Sequence, residues 1–379
     1  MSSMICDARD QRFVLYELLK IEDLCKTPKF ADFSRETFDM VLAEAEKFGM
    51  EVLFPTLSEG DRVGCKLENG QVRVPACFHR PWQLYKEGGW STMSVSPEEG
   101  GQGFPLTMNS AAKEWFYHNF GMYGYLNLTE GAAHLIEVHG TEVQKRKYMD
   151  RMHACEWGGT MALTESGAGS DVGSLKTKAI RQPDGTFRLQ GTKQFISNVD
   201  HDMAANVVNA VLARIEGDPT GTSGISIFLA PKYLVNGDGT LGRRNDFVVT
   251  GIEEKMGLHG SPTCVLNLGD NGDCYAELLG EERQGMKIMF QMMNEARINT
   301  GMQSLAGASM AYLHALNYAK ERLQGSSILE KRVDAQQGAH HPAPRRPSDA
   351  PVDEGPCRGL PGDDILYGLL LGSRSRIRG

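Results

Sequence analysis

The apolar residues of this chain change their period twice, which excludes any fold built from one kind of element. From residue 11 to 48 they recur at helical spacing, as Phe13, Val14, Leu18, Ile21 and Cys25 and then Phe38, Val41, Leu42 and Phe48. These stripes read as core, with Ser34 as an N-cap and Gly49 as a stop. Residues 56–78 are polar and Gly-bearing, and 96–105 can only be a loop. Helical stretches follow at 109–120, at 129–139 and in T-E-V-Q-K-R-K-Y-M. Around Trp157 the period drops to two. Residues 160–163, 175–181, 187–197, 207–215, 225–230, 247–251 and 263–268 read as strands, separated by turn clusters such as Q-P-D-G and N-G-D-G-T. From Glu281 the helical period returns through Met286, Met289, Phe290 and Met293 to Leu305, Leu313 and Leu316. Gly301, Ala306, Gly307, Ala308 and Ser309 leave room for a neighbouring helix, and the Met-rich face reads as adaptable core packing.

At the first change of period stands T-M-A-L-T-E-S-G-A-G-S-D, residues 160–171. After an apolar strand the side chains shrink to Ser166, Gly167, Ala168, Gly169 and Ser170, so the backbone itself becomes the accessible surface. Glycines permit left-handed dihedrals, and successive N–H groups in such a turn can converge on an electronegative ligand atom. Alone, the run reads as a surface loop after a strand, and its flanks decide otherwise.

With 379 residues and a net charge of -8, the chain has room for two or three cores and no Lys/Arg stripe for nucleic acid. No run of eighteen apolar residues and no signal-peptide pattern occur, so a cytoplasmic protein without a membrane span is expected. The eight cysteines lack C-x-x-C spacing and read as free thiols, with no metal site implied. His134 and His139 read as satisfied helix residues rather than ligands.

Several motifs in register resemble the acyl-CoA dehydrogenase flavoprotein family. T-E-V-Q-K-R-K-Y-M, followed by C-E-W-G-G-T-M-A-L-T-E-S-G-A-G-S-D, resembles the stretch before and through that family's flavin loop. L-Q-G-T-K-Q-F-I-S-N resembles its second flavin segment, K-M-G-L-H-G-S-P-T-C-V-L-N its late strands, and M-N-E-A-R its first C-terminal helix. D-Q-R-F-V-L-Y-E-L-L and the insertion before G-G-W-S resemble the branch with an extended N-terminus that includes methylthiopropionyl-CoA dehydrogenases. The fold class is then α+β multidomain, with an N-terminal all-α domain (1–155), a central β-barrel-like domain (156–280), a partial C-terminal helical bundle (281–335) and a disordered tail (336–379).

The resemblance implies FAD as cofactor and α,β-desaturation of an acyl-CoA thioester, an oxidoreductase step of fatty-acid metabolism. A carboxylate base takes the α proton, and preorganised donors meet the enolate-like charge. By position, Met161, Leu163 and Thr164 lie along the flavin, Gly169 and Ser170 meet cofactor and CoA, and Ser170 also touches substrate. Phe195, Ile196 and Ser197 fall at the segment against the ring system, with Phe195 in place of the commoner Trp. Asn294 and Arg297 fall where an Asp and an Arg hold CoA, and Arg322 where an arginine reaches a partner subunit's FAD. The implied partners are electron-transfer flavoprotein as acceptor and further copies of the chain, since the family associates through its C-terminal bundle.

The family's Y-E-G-T segment with its catalytic Glu is not found after Gly325, so no catalytic residue is assigned. Writing A-H-H-P-A-P-R-R-P-S-D-A-P-V-D-E-G-P-C-R-G as degenerate codons and reading one nucleotide later allows P-I-I-Q-H-P-D-V-R-R-M-L-L-W-M-K-A-H-V-E-G. That alternative is helical in period and resembles the family after M-N-E-A-R. The expectation is a truncated bundle and a frameshifted tail. Two competing readings are a non-catalytic remnant that binds flavin weakly or not at all, and a same-fold acyl-CoA oxidase.

Overall fold

The computed structural model describes residues 4–322. The expected disordered and frameshifted tail lies outside the described residues. What is described has the expected class: helices, then a β barrel, then a long helix. It divides into two compact units, one of residues 4–54, 104–118 and 300–322, the other of 55–103 and 119–299.

The first unit holds α1 (Ala8–Phe13), α2 (Arg35–Phe48) and α5 (Leu106–Phe116). Ser34 caps α2 as expected, accepting from the Thr37 amide. Gly49 does not stop the helix. The chain continues through a π turn, Gly49–Leu53, into α3 (Phe54–Val63), and Gly49 is right-handed at φ -59°. Its role is contact: a Cβ there would lie 2.5 Å from the Trp115 carbonyl oxygen. The first apolar stripe is also corrected. Phe13 and Leu18 are 54% and 44% exposed, while Leu15 and Tyr16 are buried. A π turn over Val14–Leu18 advances the chain by more than a helical turn and changes which residues face inward.

The second unit is built on a barrel. Its strands are β3 (Trp157–Ala162), β4 (Lys178–Arg181), β5 (Phe187–Ser197), β6 (Asn206–Ile215), β7 (Ile225–Pro231), β10 (Phe247–Ile252), β11 (Thr263–Leu268) and β12 (Cys274–Leu278). Pairing runs β4–β5–β12–β7–β6 and back to β4, a closed ring; β3 extends it parallel to β6, and β11 and β10 extend it from β5. Closure removes the exposed edges from those five strands. Phe187, Leu189, Val211, Phe228 and Leu266 fill one buried cluster. β12 and two hairpins, β1 (Lys66–Glu68) with β2 (Gln71–Arg73) and β8 (Tyr233–Val235) with β9 (Leu241–Arg244), were not read from the sequence.

On the other face of β3 and β6 lies α6 (Phe120–His139), beside residues 285–299 of α9 (Gly285–Glu321). The Met-rich face packs as expected, with Met289 and Met292 buried. His134 bonds Glu295 at 2.8 Å and His139 bonds Gln291 at 2.9 Å, so both histidines are satisfied.

Two glycine substitutions separate packing from helix propensity. G49A is expected to destabilise by about 1–3 kcal/mol through overpacking, although alanine is the better helix former. G301A, where an added Cβ meets nothing within 4 Å, is expected to stabilise by about 0.5–1 kcal/mol. Urea denaturation of both variants checks the pair of signs.

Candidate functional site

β3 enters the site between close neighbours. A Cβ at Gly158 would lie 2.5 Å from His201 Nε2, and one at Gly159 would lie 2.8 Å from the Ala132 Cβ of α6. The glycines of W-G-G-T are therefore there for depth of packing. Thr160 donates to the Ser197 carbonyl at 2.7 Å, tying β3 to the end of β5.

After β3 the chain turns. The Glu165 and Ala168 backbones pair with each other, so Ser166 and Gly167 form a tight tip, and Gly169 and Ser170 follow, exposed. Beneath them is an ion pair. Lys193 Nζ donates to Glu165 Oε1 at 2.8 Å and to the Leu163 carbonyl at 2.9 Å. Their side chains are 0% and 8% exposed. Glu165 also accepts from the Lys176 amide at 2.6 Å, the Thr177 amide at 3.0 Å and the Thr177 hydroxyl at 2.6 Å. Burial pushes its carboxyl up, but the Lys193 charge and these hydrogen bonds outweigh burial and hold it below the usual carboxylate range. Burial pushes the Lys193 ammonium down to about 8, with Glu165 opposing.

Lys193 and Phe195 would share one face of a regular strand. A bulge separates them. Leu266 pairs Lys193 and Cys264 pairs Ile196, so Gln194 and Phe195 together oppose Val265. Phe195 takes φ 61°, a left-handed value uncommon for an aromatic residue, and is 55% exposed. Ile196 returns to the core. The Gln194 amide meanwhile donates to the Thr164 carbonyl at 2.9 Å, which brings Phe195 beside the loop. At the far end, Arg214 donates to the carbonyls of Pro219, Gly173 (2.9 Å) and Gly221 (3.0 Å), fastening the chain just beyond Ser170.

The structure thus brings together Leu163, Thr164, Phe195, Ile196 and Ser197, with Met161 on the neighbouring strand and Gly169 and Ser170 on the exposed loop. Among the described residues, the Thr164 amide and hydroxyl and the Gly169 and Ser170 amides make no hydrogen bond. Asn294 and Arg297 stand apart on exposed turns of α9, where Arg297 donates to Asn294 at 2.8 Å and lies over the Phe290 ring at 5.8 Å. Nothing among the described contacts joins that pair to the loop. Arg322 is the last described residue, exposed, with its amide on the Tyr318 carbonyl at 2.8 Å. Glu165, Lys193 and Arg214 were not picked out from the sequence. The available signal was a lysine inside K-Q-F-I-S, a segment read as strand, two residues before an aromatic.

Two family models match: "Acyl-CoA dehydrogenase, N-terminal domain" over residues 35–156 and "Acyl-CoA dehydrogenase, middle domain" over 160–270. The chain is 36% identical over 336 residues to the 3-methylmercaptopropionyl-CoA dehydrogenase of Ruegeria pomeroyi, covering 87% of this chain and 57% of that protein. It is 30% identical to the short-chain-specific acyl-CoA dehydrogenase of Megasphaera elsdenii, over 76% of this chain and 70% of that one. A solved acyl-CoA dehydrogenase of Bacillus anthracis, complexed with FAD, matches at TM-score 0.62 and 28% identity, over 79% of this chain and 47% of that one. The fold and the loop at the end of β3 are those of a family defined by its helical N-terminal and β middle domains. This chain belongs to the acyl-CoA dehydrogenase family, and it spans 57 or 58% of the length of four curated relatives.

Replacing Glu165 by Gln strands a buried ammonium, and E165Q is expected to cost about 3–5 kcal/mol, whereas E165Q/K193M regains most of it. Glu165's folded pKa is depressed, so its contribution is complete above the unfolded value of about 4.3 and is lost as pH falls through the folded value. The stability gap between wild type and E165Q should therefore narrow in acid. Denaturation from pH 7 to 3 reads both effects.

Proposed function

We propose that this chain carries the flavin-facing wall of an FAD-dependent acyl-CoA dehydrogenase site, which oxidises the CH–CH bond next to a thioester carbonyl. Phe195 is the observation that carries it: a strained, exposed aromatic placed by a bulge beside unengaged donors. Strain of this kind persists where the surrounding structure enforces it and is concentrated at ligand sites. The donor set fits a flat heteroaromatic with a polar edge. The Phe195 ring offers an apolar face, while the Thr164 amide and hydroxyl and the Gly169 and Ser170 amides offer hydrogen bonds. FAD, when bound, supplies the two-electron oxidation that no side chain can perform.

In this reading Met161, Leu163, Ile196 and Ser197 shape the floor, and Ser170 reaches both cofactor and substrate. Asn294 and Arg297 hold CoA, and Arg322 serves the cofactor of a second copy in a homo-oligomer. Electron-transfer flavoprotein is the acceptor. Glu165 is not the base: the ammonium, the Thr177 hydroxyl and two amides engage it, and it is held ionised for them. The seven described cysteines are free thiols, in keeping with a reducing cytoplasm. Among the described residues no helix is long and apolar enough to cross a membrane.

F195A is expected to weaken FAD binding about tenfold, the equivalent of ~1.4 kcal/mol for a lost aromatic stack, and F195W to keep it. Visible absorbance of the purified protein with FAD, and dye reduction on adding a short acyl-CoA, read the outcome. A wild-type protein that stays colourless with FAD and reduces no dye is instead a non-catalytic member of the family, and oxygen consumption during turnover marks an oxidase.

A further inference from the structure

We propose that Lys193 is a positioning residue for the cofactor, acting through one peptide group: held on the Leu163 carbonyl, it turns the Thr164 N–H toward the flavin and strengthens it as a donor. This rests on the flavin reading above. The Leu163 carbonyl and the Thr164 amide belong to the same planar trans unit and point in opposite directions. Among the described residues no peptide bond is cis. Lys193 Nζ fixes the carbonyl end at 2.9 Å from inside the core, so the amide end faces away from the core. The next peptide is fixed too, since the Thr164 carbonyl accepts from the Gln194 amide at 2.9 Å. With both flanking carbonyls held, the Thr164 amide has one direction, and it is left without a partner among the described residues.

The ammonium also acts electronically. A cation bonded to the oxygen of a peptide polarises its N–H, and such coupling is strongest where water is excluded. Lys193 is fully buried, and its counter-charge Glu165 stands at the base of the turn whose tip, Ser166 and Gly167, is exposed. A stronger donor would favour the electron-rich reduced flavin over the oxidised form where it meets the polar edge on which negative charge gathers on reduction. Lys193 touches neither cofactor nor substrate in this arrangement; it sets the group that does.

The two members of the ion pair then have opposite effects, which a merely structural role does not produce. In a dithionite titration against a reference dye, K193M should lower the ratio of reduced to oxidised bound flavin about tenfold, equivalent to about 30 mV for a two-electron couple. E165Q, titrated at a pH low enough to keep Lys193 protonated without its counter-charge, should raise it, and the rise should disappear as pH increases and the buried lysine loses its proton. If K193M does not fold, E165Q/K193M, which buries no charge, takes its place and should fall in the same direction. Unchanged or same-signed potentials in the variants overturn the proposal. In flavin-free protein the Thr164 amide proton resonance should move upfield on replacing Lys193. That measurement stands even if wild type binds no FAD, a result that overturns the functional reading, whereas an unmoved Thr164 resonance overturns this one.

Discussion

A lysine with no exposed surface organises the middle of this molecule. Burying an ammonium costs several kcal/mol unless it is paired and hydrogen-bonded, and Lys193 meets that cost with Glu165 and the Leu163 carbonyl. Both partners belong to the segment that leaves β3. The requirement to satisfy one charge therefore fixes the path of the chain through residues 163–165, and with it the place where the Gly/Ser run begins. Thr177 and the Lys176 amide complete the carboxylate's shell, so the segment that re-enters the barrel as β4 is tied to the same point.

The bulge makes the lysine compatible with an exposed ring. On β5 two residues oppose Val265, and on β10 a second irregularity lies against the same strand position, where Val249 pairs Leu266 and Gly251 pairs Val265. Two inserted residues at one level bend the sheet sharply there. The bend puts Lys193 inward and Phe195 outward within three residues. Without it, alternation would bury both or expose both, and a buried charge under an exposed aromatic could not be built from one strand.

Fold was legible where the signal is periodic. Seven strands and the α2 cap were read from alternation and a serine, because the pleat and the helix N-terminus impose those patterns directly. The role of Gly49 is not legible because a glycine that ends a helix and one that admits a neighbouring carbonyl look identical in sequence; only Trp115 distinguishes them. The exposure of Phe13 and Leu18 is not legible because π turns shift the phase of a helix without a compositional mark. The grouping of Thr164 with Phe195 comes from resemblance, since periodicity alone gives only a strand over 187–197. Lys193 gives no sequence signal because its partner is twenty-eight residues away in sequence, and a lysine in a strand reads as solvated until the bulge is known.

Asn294 shows how a departure from a family pattern can be read physically. In the resemblance an aspartate stands beside the CoA arginine, and here an asparagine does. An exposed Asp–Arg pair contributes little to stability, about 0–1 kcal/mol, so the exchange costs the helix almost nothing. Its consequence is electrostatic. The asparagine oxygen still accepts from Arg297 at 2.8 Å and holds the guanidinium in place over Phe290, but it cancels none of its charge. Among the described residues no carboxylate pairs with Arg297, and in a chain with a net charge of -8 an oriented guanidinium without such a partner is a stronger anchor for a phosphate than one already paired. The substitution that weakens the resemblance at this position thus favours the proposed contact with CoA.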